Sequence, residues 1–221
     1  VRKIYFLLFL FISLQGASID LKKTYNNLQC DDLYRMRIYN SCYSYRYRGP
    51  LEVDYTIYGN LIDKKNYVSS RYWRVYRPIP KEYRQHNFDY YKQGYHKGHL
   101  ANDANFDYDK ILSKLTYYLS VNSVPMLPSV NRYSWYKVEE RERYLARLYE
   151  KVNVINLVDY TSSYKKLNNN ITIPTGFYKV IYNKKMMECY YVPNEFVDYK
   201  TIKLNDFLIK CDDVPYIYLK K

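Results

Sequence analysis

Long apolar runs are scarce in this 221-residue sequence. The run at Ile4–Leu14 is about half the roughly 20 residues that a spanning helix needs, which argues against a multi-span membrane protein. No internal repeat, low-complexity tract or Pro/Gly/Ser linker follows it, so solenoid, collagen-like and disordered classes are excluded and one domain is expected. Acidic residues are outnumbered, 22 against 35 Lys+Arg, which leaves a formal charge of +13. Histidine is rarer still: only His86, His96 and His99 can carry imidazole chemistry. The four cysteines form no C-x-x-C pair, so a zinc site has no spacing to support it.

The basic balance attracts polyanions and speeds their encounter, which points to nucleic acid, anionic lipid or acidic glycans. The 32 tyrosines are ambiguous, since Tyr suits both half-buried strand faces and base-stacking surfaces. Arg2 and Lys3, the apolar run, then Gln15, Gly16, Ala17 and Ser18 read as a secretory signal peptide over 1–18, with domain 19–221 after it. The expected location is outside the cytoplasm, periplasmic or secreted, with no stable membrane insertion after cleavage. In an exported chain an even number of cysteines suggests disulfides. Three connectivities exist, and Cys30–Cys42 with Cys189–Cys211 is favoured because each closes a short local loop.

Alternating or β-branched stretches predict strands at Tyr43–Tyr47, Val53–Tyr58, Tyr72–Tyr76, Thr116–Val121, Val152–Val158, Phe177–Ile181 and Met187–Val192. A long helix is predicted from Asn131 to Lys151, with Ser129 as its N-cap, and a short one at Asn205–Lys210. The expected fold is α+β: a central antiparallel or mixed sheet flanked by helices.

Two patches carry chemistry. His96-Lys97-Gly98-His99 stands just before Asn102-Asp103-Ala104-Asn105; the spacing suits a metal pair, a base or an ordinary loop. On the long helix, Asn131, Trp135, Glu139 and Arg143 recur every four residues and so share a face, Arg143 at its flank. That set suits a hard cation and a phosphate, or a salt-bridged surface. Arg71-Tyr72-Trp73-Arg74-Val75-Tyr76-Arg77 interleaves basic and aromatic side chains, as a groove for a phosphate strand does, and as a packed strand with solvated tips also does.

Taken in order, Arg77–Arg84, His96–His99, Asn122-Ser123-Val124-Pro125-Met126 and the Asn131–Arg143 helix resemble the DNA/RNA non-specific endonuclease family, whose site is a ββα-metal finger. Its D-R-G-H motif corresponds to H-K-G-H here. The resemblance implies an endonuclease acting on DNA and RNA through backbone contacts. It makes His99 the general base and Asn131 the one direct protein ligand of Mg²⁺, with Mn²⁺ as an alternative. Glu139 would hold the metal's waters, and Arg143 with one of Arg71, Arg74 or Arg77 would meet the phosphate beside Lys97. Asn122 would help orient the site. Activity is then expected to rise through about pH 6–7 as His99 loses its proton.

Three positions depart from the pattern: His96 replaces Asp, Lys97 replaces Arg and Met126 replaces Gln. They leave the base, ligand and helix carboxylate in place. They also keep open a catalytically impaired, nucleic-acid-binding relative, and His96 as a second, nitrogen ligand favouring Mn²⁺, Co²⁺ or Zn²⁺. A Tyr-rich structural protein of the envelope is disfavoured by the ordered helix motif.

Overall fold

The computed structural model describes residues 18–64, 72–198 and 200–219. Most of the expected signal segment and Arg71 therefore lie outside the described residues.

Seven strands form one antiparallel sheet in the spatial order β1-β2-β3-β6-β7-β8-β9. They are β1 Asp32–Arg35, β2 Tyr39–Ser44, β3 Gly49–Tyr58, β6 Lys151–Asp159, β7 Gly176–Tyr182, β8 Met187–Pro193 and β9 Leu208–Ile209. Every strand pair within this sheet is antiparallel, which narrows the antiparallel-or-mixed expectation. Successive side chains point to opposite faces, and the central strands carry apolar residues on both. Val53, Tyr55, Ile57, Val154, Phe177 and Ile181 join the main core, whereas Ile155, Leu157, Val180, Tyr182 and Cys189 face a second, smaller one.

The second core is covered by helix α1, Leu21–Leu28, and by Val214. Both disulfides, Cys30–Cys42 and Cys189–Cys211, form as expected. Glu52 is fully buried on this sheet beside Asp54, and no hydrogen-bond donor among the described residues faces its oxygens. Burial, then the neighbouring carboxyl, pushes its pKa well above the ordinary carboxylate range and so favours the neutral acid.

Between β3 and its neighbour β6 the chain makes one long excursion that builds the site. A short helix α2, Gly59–Ile62, leads out; β4 His96–His99, α3 Lys110–Thr116 and β5 Ser123–Met126 follow. β4 and β5 pair antiparallel, with His96 opposite Met126 and His99 opposite Ser123. A π-helical turn, Val130–Ser134, then runs into α4, Trp135–Tyr149. This is the ββα arrangement. Its helix lies on the main core through Trp135, Val138, Leu145 and Ala146.

Several local expectations change. Tyr72–Tyr76 is not a strand but an irregular segment fixed by one bridge, Arg74 to Tyr118, just before Pro78 and Pro80. Thr116–Val121 closes α3, which Asp109 caps through the amides of Ile111 and Leu112, and then turns at Ser120 with positive φ. The first of the expected strands lies earlier, as β2, because Tyr45–Arg48 is a turn. Ser129 already has helical angles and does not cap; Glu150, at positive φ, stops α4 before Lys151. Asn205–Lys210 becomes a 3₁₀ turn, Leu204–Phe207, followed by β9.

Candidate active site

His99 ends β4 with its ring lying against Trp73, centroids 4.4 Å apart, and meeting Tyr117 edge-on at 4.7 Å. Its backbone oxygen accepts a hydrogen bond from Trp135 Nε1 at 3.1 Å, which fastens the end of the strand to the helix. Nε2 is enclosed and has no hydrogen-bond partner among the described residues. Burial pulls the pKa of the imidazole down to about 3, so the ring is neutral across the whole range from pH 5 to 8. The expected activity step at pH 6–7 therefore does not belong to His99.

His96 lies at the other end of the same strand. Its Nδ1 is 3.2 Å from the Asn131 side-chain nitrogen. Burial, then the charges of Arg132 and Lys97, lower its pKa and favour the neutral ring. Opposite it Met126 is fully buried, and a Cβ placed on Gly98 would come within 2.8 Å of the Met126 side chain. Met126 thus fills the space that the glycine leaves, as an apolar wedge where an amide was expected.

Asn131 sits in the π-turn, where the Trp135 amide bonds back to Val130, five residues away. The extra residue in that turn breaks the four-residue count between Asn131 and Trp135, so Asn131 faces β4 rather than continuing the α4 stripe. The rest of the stripe runs into the protein. Glu139 is partly buried near Trp135, Lys179, Glu142 and Arg143; burial chiefly raises its pKa, to about 7. Arg143 is 9% exposed and donates to Asn102 Oδ1 at 3.3 Å.

Behind these two lies a network that sequence reading missed. Glu142, fully buried, accepts from Lys179 Nζ at 2.5 Å, from Asn102 and Asn105 at 2.7 Å, and from the Tyr55 hydroxyl at 3.1 Å. Lys179 also sits 4.5 Å from the centre of the Trp135 ring. The only sequence signal was a single charge inside the apolar strand Phe177–Ile181.

The other expected site residues divide. Asn122 is fully buried and spends its whole amide on the backbone of Ala101 and Thr116, so it positions the loop after His99 and touches nothing outside. Arg74 binds the Lys114 carbonyl and covers Tyr118, which makes it structural. Arg77 is exposed, and Lys97 is half-buried with its ammonium 5.4 Å from the Tyr90 ring. Trp73, Tyr76, Arg77 and Tyr118 line an open groove, which Trp73 joins to the His99 ring. His86 stands apart, stacked on Phe88.

Among the described residues no group of three or more His, Cys, Asp or Glu is placed to hold a metal. A cation at Asn131 would rest on one or two protein atoms and keep most of its waters, which fits a hard ion that dehydrates reluctantly.

Comparison with known proteins agrees with this geometry. The model of the family described as DNA/RNA non-specific endonuclease matches residues 18–216. Human mitochondrial Endonuclease G is 31% identical over 148 residues, 60% of this chain and 49% of that protein. Nuclease C1 of Cunninghamella echinulata var. echinulata is 30% identical over 151 residues, 62% of this chain and 60% of its own length. A chain from the crystal structure of the EndoG/EndoGI complex superposes with a TM-score of 0.73 at 25% identity, covering 81% of this chain and 80% of that one. This chain thus spans about half the length of the Endonuclease G relatives that it matches.

Proposed function

The chain belongs to the DNA/RNA non-specific endonuclease family, and we propose that it hydrolyses phosphodiester bonds in both DNA and RNA, with His99 as general base. The observation that carries the proposal is the His99 ring, set against Trp73 and Tyr117 at the end of β4, with Nε2 enclosed and the group uncharged at working pH. A neutral imidazole holds one proton and one lone pair. With the proton on the enclosed Nε2, the lone pair on Nδ1 would take a proton from an attacking water. Trp73, Tyr117 and the Trp135 bond hold the ring in that orientation.

Asn131 would hold a divalent cation, Mg²⁺ in the reading that the resemblance gives, with Mn²⁺ able to replace it. When bound, such an ion neutralises charge on the phosphate and on the leaving oxygen. Glu139 would take hydrogen bonds from the cation's waters, with Arg143 holding that end of the site in place from behind. Lys97 and Arg77 would attract the phosphate chain along the aromatic groove, which suits binding without base reading. The two disulfides support work in an oxidising compartment after export.

The test is digestion of supercoiled plasmid and total RNA by the oxidised domain, with Mg²⁺ or Mn²⁺, with EDTA, and beside His99→Ala. Loss of both substrates that requires metal and falls at least a hundredfold in His99→Ala is expected. Salt-sensitive DNA binding with no cleavage under any metal would replace the proposal with the binding-only reading.

A further inference from the structure

We propose that His96 and Asn131 together form a mixed nitrogen–oxygen metal site, so that this chain prefers Mn²⁺, Co²⁺ or Zn²⁺ to Mg²⁺. The inference rests on the nuclease reading only in taking Asn131 as a ligand. The structure places the two side chains in direct contact across the finger, His96 from β4 and Asn131 from the π-turn, at 3.2 Å. Two donors at right angles on one cation, with bonds of about 2.1 Å, stand about 3.0 Å apart. The observed pair is within a few tenths of an ångström of that spacing.

The chemistry of the pair agrees with the distance. In the amide orientation present, the Asn131 nitrogen donates and His96 Nδ1, in its Nε2-protonated tautomer, accepts. A half-turn of the Asn131 amide brings Oδ1 to the same place and offers two lone pairs to one ion; the two amide orientations occupy nearly the same volume. Both side chains are partly exposed, so an ion can enter and keep its remaining waters. The π-turn matters here, since it turns Asn131 toward β4. Met126, buried directly opposite His96, supplies no competing donor of comparable strength. Imidazole nitrogen binds first-row transition ions far better than Mg²⁺, which favours oxygen throughout.

The experiment measures metal binding in the intact, oxidised, substrate-free protein. Pulsed electron paramagnetic resonance of the Mn²⁺-loaded form reads nitrogen coupling to the metal, and calorimetry gives the Mn²⁺ and Mg²⁺ dissociation constants. His96→Asp and His96→Gln are run beside the wild type, each checked for an unchanged unfolding midpoint. Nitrogen coupling in the wild type that disappears in both variants is expected. So is a fall of at least tenfold in Mn²⁺ preference over Mg²⁺ in His96→Asp, together with faster Mg²⁺-supported cleavage. Coupling that survives in both variants, or an unchanged preference ratio, would overturn the proposal. Should both variants unfold, ¹⁵N labelling of histidine in the wild type decides: ¹⁵N coupling supports an imidazole ligand and its absence removes it. Plasmid digestion by the same preparations separates the two readings. Cleavage with unchanged metal preference removes only the nitrogen ligand, whereas nitrogen-bound metal without cleavage removes only the nuclease.

Discussion

At the level of single side chains, His99 is set apart by what surrounds its ring rather than by its place in a motif. Trp73 and Tyr117 take away solvent without supplying a charge or a hydrogen bond to Nε2, so only the neutral ring is tolerated. This has a consequence for stability. The folded-state value near 3 lies below the roughly 6.5 of an unfolded histidine, so between those values the unfolded chain binds the extra proton. Stability from this group is complete above about pH 6.5 and is lost as the pH falls toward 3. In metal-free protein, wild type is expected to lose ~2–3 kcal/mol more than His99→Gln on going from pH 7 to 4.5, measured by urea unfolding. Equal losses would mean that the ring is solvated when folded. The same environment predicts that cleavage shows no His99 step between pH 5 and 8.

Among the elements, α4 and β7 are joined by the Glu142–Lys179 pair, both side chains without exposure. Tyr55, Asn102 and Asn105 complete the carboxylate's hydrogen bonds, and Asn102 also receives Arg143. The network therefore ties the helix that carries Glu139 to both the sheet and the loop after His99. Lys179→Met leaves Glu142 buried without its cation, which is expected to cost about 3–5 kcal/mol in denaturant unfolding. Its cleavage per folded molecule should also fall, because Glu142, which fixes Asn102 and through it Arg143, loses the cation that anchors it to β7. A cost below about 1 kcal/mol would show that the carboxylate is satisfied by its three neutral donors alone.

Across the whole molecule, the sheet separates two tasks. The finger, α4 and the main core occupy one face, while α1 and the second core occupy the other. The disulfides belong to the second side: Cys189 is in its core with Cys211 packed against it, and Cys30 follows α1. Replacing Cys30 and Cys42 together by Ala is expected to lower stability by about 2–4 kcal/mol, read as a lower melting temperature. Metal-dependent cleavage well below that temperature should persist. Lost cleavage in a protein still folded by circular dichroism would show that the two faces are mechanically coupled.

The sequence alone determined whatever depends on neighbours along the chain. Alternating or β-branched stretches marked β3, β6, β7 and β8, because such local patterns need no distant information to be recognised. Short loop lengths favoured both disulfides, and the order of His96–His99, Asn122–Met126 and Asn131–Arg143 carried the family. Tertiary structure decided what depends on groups far apart. β4 is four residues of His, Lys, Gly and His, which have no strand preference until β5 pairs with them. The π-turn that aims Asn131 at His96 is invisible to a four-residue count. Arg74 and Arg143 look like phosphate ligands in the chain, yet folding commits them to Lys114 and Asn102. The neutral state of His99 was likewise set by burial, since desolvation is a property of the packed interior and not of the residues on either side.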